Sequence, residues 1–277
     1  MDSALVLGAG GITGIAWHLG VLIGLRSEGV DLTTADLLVG TSAGSVTGTL
    51  IATGADLAEA RHIEAGLGAT DPPFRPDWER GTQAYALLHD EARDPASIRA
   101  GVGELAVAAE VVDEESYVAA LARRLPVHDW PARPLLITAV NTAGGDPVVW
   151  DRTSGVPLDR AVAASCAVPC VFPPVTVNGG RYMDGGVRSG TNADLAAGAS
   201  RVIVMAPLAP VRIHGAPAGE IEGLRQRSKV ALIAPDEETL AVLGPNPMDS
   251  TRWEPVIEAG IAQGRRLAPE AATVWHS

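Results

Sequence analysis

Leu5 to Gly14 reads LVLGAGGITG, and Leu37 to Gly44 reads LLVGTSAG. Each is a short apolar run that breaks at glycine and gives way to a helical pattern. After the first run, Ile15, Leu19, Leu22, Ile23 and Leu25 recur close to a 3.6-residue period; after the second, the small residues of Ala43 to Ile51 suit a helix packed tightly on a sheet. Short branched runs of this kind read as strands buried on both faces. Two strand–turn–helix units in succession imply parallel pairing, because the helix carries the chain back to the starting edge. The expected class is α/β.

Working outward, Ala55 to about Pro134 shows helical stretches alone: Leu57 to Ala65, Trp78 to His89, Ile98 to Glu110 and Glu114 to Leu125, separated by Asp71-Pro72-Pro73 and Asp94-Pro95. This predicts a helical insertion at about 55–134 within a single domain spanning 1–277. Its Trp78, Tyr85 and Trp130 suit either the wall of a pocket or ordinary core. Strand patterns return at Leu135 to Val140 and Val148 to Trp150 around Ala143-Gly144-Gly145-Asp146. They recur at Val175 to Val177 and Tyr182-Met183 around Asn178-Gly179-Gly180. These are two predicted hairpins, and the second delivers Asp184. Arg201 to Met205 reads as another buried strand, and the remainder, with Asp236 to Leu243 and Trp253 to Leu267, as mostly helical.

The chain has 277 residues, 47% of them hydrophobic, enough for a sizeable core. A net charge of −12 disfavours nucleic acid as a partner and gives no electrostatic help toward anionic headgroups. Cys166 and Cys170 are too few for a disulfide scaffold, and with no further ligands nearby they read as packing residues. The sequence enters the apolar run Ala4 to Leu7 without a basic segment, so the expected location is the cytoplasm. The charge-free stretches Leu37 to Ala55 and Ala161 to Gly180 are too rich in Gly, Ser, Thr or Pro to read as membrane helices.

Gly40-Thr41-Ser42-Ala43-Gly44 fits G-x-S-x-G, in which small neighbours allow a sharp strand-to-helix turn that exposes the serine hydroxyl. Gly10 and Gly11 follow the first strand, where missing side chains let backbone N–H groups converge on an oxyanion. A dinucleotide fingerprint competes for that loop. However, threonine stands where the third glycine should be, and the second strand ends in Gly40-Thr41-Ser42 instead of an acidic ribose ligand. A nucleophilic serine needs a base. None of His18, His62, His89, His128, His214 and His276 has strand-end glycine or aspartate neighbours, whereas Asp184-Gly185-Gly186 lies at a strand end with room for its carboxylate.

Taken in order, Leu7 to Gly14 with His18-Leu19-Gly20-Val21-Leu22, Gly40 to Ser45, and Ala161 to Pro174 (AVAASCAVPCVFPP) leading through Gly179 to Met183 into Asp184-Gly185-Gly186 resemble the patatin-like phospholipase family. The resemblance implies a three-layer α/β sandwich with a central, mostly parallel sheet. It implies Ser42 as nucleophile, Asp184 as base and the N–H groups of Gly10, Gly11 and Ile12 as oxyanion hole, with Gly14, Gly40, Gly44, Gly185 and Gly186 as motif glycines. No metal or cofactor is required, the substrate is an acyl ester or lipid, and any membrane contact is transient. The family loop usually reads G-G-G-x-[K/R]-G; here Ala9 replaces the first glycine and Thr13 the basic residue. Loss of that charge predicts a preference for neutral or zwitterionic esters, with Thr13→Arg shifting it toward anionic ones. Two rivals are a Ser-His-Asp esterase, whose serine usually follows more than two strands, and a silent lipid-binding protein on the same fold.

Overall fold

The computed structural model describes residues 1–63, 75–209 and 218–277. Among them, β1 (Ser3–Leu7), β2 (Leu37–Gly40), β3 (Leu135–Asn141), β7 (Arg201–Met205) and β8 (Lys229–Ile233) pair in parallel in the order β3-β2-β1-β7-β8. Three strands, β4 (Pro147–Trp150), β5 (Val175–Val177) and β6 (Gly180–Asp184), add antiparallel pairing: β4 and β6 with β3, and β5 with β6. The sheet is therefore mixed but mostly parallel, as expected.

Alternation along the central strands sends side chains to two separate cores. Leu5, Leu7, Leu38, Ile203 and Met205 join one cluster with the helices α1 (Gly11–Ser27), α2 (Ala43–Ala52) and α10 (Trp253–Trp275). Ala4, Val6, Val39, Val202 and Val204 join another, covered by a short turn at Ala193–Ala196 and by α8 (Ala218–Arg225). That gives three layers. Leu5, Leu7 and Leu38 have no accessible surface, and each side chain so buried contributes roughly 1.5–3 kcal/mol. Helix α1 is buried on nearly every side, clasped between the sheet and α10.

Aspartates cap three helices of the middle region. Asp77, Asp94 and Asp113 each accept backbone N–H groups at the starts of α4 (Trp78–Leu88), α5 (Pro95–Ala108) and α6 (Glu114–Ala122), with Pro95 in the first turn of α5. Preceding them, α3 (Leu57–Ile63) packs on α1 and α2, while α6 packs on α7 (Leu158–Ser165). The Asp71-Pro72-Pro73 separator and the end of the Leu57 to Ala65 stretch lie outside the described residues. Two elements depart from the sequence reading. Helix α7 occupies part of the Ala161 to Pro174 run, and the C-terminal third contains β8 as well as the helices α8, α9 (Glu237–Leu243) and α10. Strand β8 lies at the sheet edge with Lys229 and Leu232 exposed, so it lacks the continuous apolar signature of its neighbours. No helix among the described residues is long and apolar enough to cross a membrane.

Candidate active site

Pairing register brings the site together. Ile137 of β3 lies opposite both Gly40 and Trp150, so β2 and β4 occupy opposite edges of β3. Ala139 lies opposite both Asp184 and Val148, so β6 shares an edge with β2. The two strands run toward each other along that edge. Their C-terminal ends, Gly40 and Asp184, meet across Thr138, which delivers Asp184 to the turn that carries Ser42.

Ser42 occupies that turn with φ 52° and ψ −119°, a conformation uncommon for a side-chain-bearing residue. The flanking glycines are steric requirements. A Cβ at Gly44 would collide with the Leu7 carbonyl of β1, and one at Gly40 would come within 2.7 Å of Ser45 Cα. The Ser42 N–H donates to Ser165 Oγ at 2.9 Å, and its hydroxyl makes no cap to its own helix. Its hydroxyl lies near enough to the Asp184 carboxyl and the Cys166 thiol to favour the charged form of each.

Asp184 is 4% exposed. Burial pushes its carboxyl up to about 7, offset in part by hydrogen bonds from the Ser42 hydroxyl and the Gly186 N–H. The Gly186 N–H reaches Oδ1 at 2.7 Å, and the Asp184 N–H donates to the Ala167 carbonyl at 2.9 Å. The C-terminal end of α7 and the turn that follows it thus touch both partners, through Ser165 on one side and Ala167 on the other. Burial also pushes the Cys166 thiol up to about 12, which keeps it protonated beside Ser42. Tyr117 is raised for the same reason; it donates to the Ala163 carbonyl at 3.1 Å and stacks on Phe172.

Across the cavity, Gly10 precedes α1 without a capping side chain, and Gly11 has φ 62°. Thr13 N–H donates to the Pro247 carbonyl at 3.0 Å, while no acceptor among the described residues meets the N–H groups of Gly10, Gly11 or Ile12. Helix geometry leaves the first of these donors without partners inside α1, and the helix dipole adds positive potential there. Ala9, Gly10, Gly11, Ser42, Asp184 and Gly186 line one cavity of about 330 Å³, whose other walls are mainly apolar: Leu88, Val168, Val171, Val187, Leu208 and Met248 among them. Ile12 is not on its wall.

Several sequence expectations resolve here. Trp78 lines the cavity while 69% exposed, Tyr85 is 59% exposed, and Trp130 packs against the core with its Nε1 donating to the Val156 carbonyl. Thr13 is 2% exposed and absent from the cavity wall: its side chain faces packed interior. His18 is fully buried in α1, pushed down to about 3 by desolvation, with Nδ1 3.4 Å from Thr47 Oγ1 and no place on the cavity wall. His214 lies outside the described residues. Sequence reasoning missed Ser165, Thr41, Thr138 and Asn192, which surround the pair; Ser165 was visible only as part of the long Ala161 to Pro174 run.

Comparison with known proteins gives a family match over most of the chain. The family model for patatin-like phospholipase matches residues 5–197. Uncharacterized NTE family proteins of Mycobacterium bovis and Mycobacterium tuberculosis are each 30% identical over 200 residues, covering 69% of this chain and 47% of theirs. The chain thus spans about half the length of the curated relatives it matches. Among solved structures, VipD from Legionella pneumophila aligns with a TM-score of 0.48 at 14% identity, over 98% of this chain and 67% of that one.

Proposed function

The chain belongs to the patatin-like phospholipase family, and we propose that it is a serine acyl hydrolase that cleaves lipid or other carboxylic acyl esters through an acyl-Ser42 intermediate, with Asp184 as the base. The observation that carries this reading is that Ser42 and Asp184 line the wall of one largely apolar cavity that Gly10 and Gly11 also line.

In the proposed cycle, Ser42 Oγ attacks the ester carbonyl as its proton passes to the Asp184 carboxylate. The tetrahedral oxyanion is held by the N–H groups at the start of α1 that face the cavity, from Gly10 and Gly11. Collapse breaks the ester C–O bond, and the proton on Asp184 passes to the departing alcohol. Water then attacks the acyl-Ser42 carbonyl, giving its proton to Asp184, and a second collapse releases the carboxylic acid and restores the Ser42 hydroxyl. A carboxylate raised to about 7 suits this work, since a base is most effective when its pKa lies near the operating pH.

The test is twofold. Labelling with a fluorophosphonate should mark Ser42 and be lost in Ser42→Ala. A screen across p-nitrophenyl esters of increasing chain length, phosphatidylcholine and lysophospholipid should show turnover that depends on Ser42. Lipid binding without labelling or turnover would favour the silent lipid-binding reading, to which the Ala9 and Thr13 departures lend their weight.

A further inference from the structure

We propose that Asn192 is a positioning residue for the Ser42–Asp184 pair: a buried amide that fixes the two backbone segments carrying them. The inference rests on the reading of those two residues given above. Strands β2 and β6 meet end to end on one edge of β3, and collinear strands cannot form a ladder with each other. Their ladder bonds run sideways, to β3 on one flank and to β1 or β5 on the other, so the junction between them is left to side chains.

Asn192 closes it. The residue is fully buried, and its φ of 51° is a left-handed conformation that asparagine tolerates better than most residues. Arg188 Nη1 donates to its Oδ1 at 2.6 Å, and because guanidinium has only donors this fixes which end of the amide is oxygen. The Nδ2 end therefore points inward. It lies 2.9 Å from the Ser189 carbonyl, 3.0 Å from Thr41 Oγ1, 3.3 Å from the Gly185 carbonyl and 3.4 Å from Thr138 Oγ1. An amide has two hydrogens for these acceptors, so the two shorter contacts hold them and the longer ones are shared.

The acceptors identify the task. Thr41 directly precedes Ser42, and Gly185 directly follows Asp184. Thr138 lies in β3 between the partners of Gly40 and Asp184, with its Oγ1 3.0 Å from Thr41 Oγ1. Asn192 is absent from the cavity wall and so acts through its neighbours rather than on substrate. Arg188, which orients it, is held by both oxygens of Asp194 at 2.9 and 2.6 Å.

The decisive variant is Asn192→Gly, because glycine accepts the left-handed backbone and removes only the amide. Its kcat is expected to fall about 100-fold with KM within about threefold of wild type, and fluorophosphonate labelling of Ser42 to slow in parallel. Separation of the pair would also remove the Ser42 hydrogen bond that lowers Asp184, so the acidic limb of the kcat profile should move upward. A merely structural residue would change the yield of folded protein and leave that limb in place. Turnover within threefold of wild type, or reduced turnover with an unmoved limb, overturns the proposal. Should Asn192→Gly fail to fold, Thr41→Val and Thr138→Val each delete one hydroxyl of the junction; about tenfold losses in kcat at constant KM are expected, and wild-type kcat in both overturns it. Wild type and Ser42→Ala run alongside. If wild type shows no Ser42-dependent turnover or labelling, the hydrolase reading has failed. The positioning claim is then judged by crystal structures, where an unchanged Ser42 Oγ to Asp184 separation in Asn192→Gly refutes it.

Discussion

The turn from β1 into α1 and the turn from β2 into α2 sit on neighbouring parallel strands, yet they treat their helix N-termini in opposite ways. At α1 the chain presents bare backbone: Gly10 and Gly11 line the cavity, and no acceptor among the described residues meets their N–H groups. At α2 the N–H of the capping residue is turned away to Ser165 Oγ, and the cavity is offered a side chain instead. Serine at this position normally caps its own helix, an interaction worth about 0.5–2 kcal/mol. Ser42 makes no such bond. The comparison teaches that one local construction can offer a cavity either bare backbone donors or a hydroxyl, depending on which of the two is left uncapped.

The largest effect should come from disarming the second turn. Ser42→Ala and Asp184→Asn are each expected to lower kcat by about 10⁴-fold or more with unchanged circular dichroism. Near-normal turnover in Asp184→Asn would dissolve the proposed division of labour. Blocking the first turn should cost less. A methyl at Gly11 would sit 2.7 Å from the Pro247 carbonyl at a residue with φ 62°, so Gly11→Ala should displace the open donors and lower kcat about 10²–10³-fold. If kcat survived and KM alone rose, the first turn would be a binding surface and not the oxyanion site.

A subtler separation comes from pH. If Asp184 acts as carboxylate, kcat should rise with pH and reach half its plateau near 7. Stability should move the opposite way. A carboxyl raised from 3.8 to about 7 in the folded state favours folding fully below the unfolded value and loses that contribution as pH climbs from about 4 to 7. Asp184→Asn should therefore be more stable than wild type by about 2–4 kcal/mol above pH 7, with the difference fading toward pH 4. Denaturant titrations at pH 4.5 and 8 measure this; equal differences at both pH values would contradict it. The smallest effects belong to the exposed or peripheral histidines. Alanine at His62, His89, His128 or His276 should leave kcat within about twofold, and a thousandfold loss at any one without unfolding would restore a triad.

Legibility in the sequence followed local signal strength. The two glycine-broken apolar runs and the Asn178-Gly179-Gly180 hairpin are local devices, and the structure has them where the residues indicated. Boundaries moved where local rules were outweighed. Helix α1 begins at Gly11, four residues before its apolar period becomes readable, and α10 continues through Pro269 to Trp275 although proline ordinarily discourages helix. Edge strand β8 carried too little apolar continuity to be read. In the site, Ser42 and Asp184 were visible because glycines bracket them, whereas Ser165, Thr138 and Asn192 matter through contacts spanning large sequence separations. Thr13 shows the converse: a departure from the family pattern drew attention to a side chain that the fold buries.

The end-to-end meeting of β2 and β6 on β3 also has a consequence in time. A ribosome releases the β1–α1–β2–α2 segment, and with it Ser42, long before β3 and the β5–β6 hairpin exist, and folding tends to follow the order of emergence. Through that interval Ser42 has no Asp184 beside it, and the cavity lacks the walls supplied by Val168, Val187 and Leu208. Strand β1, which borders β2 on one side, still awaits β7 on the other. If the proposed hydrolase reading holds, the chain is inert for as long as its apolar edges are open, and activity switches on only with closure of the sheet.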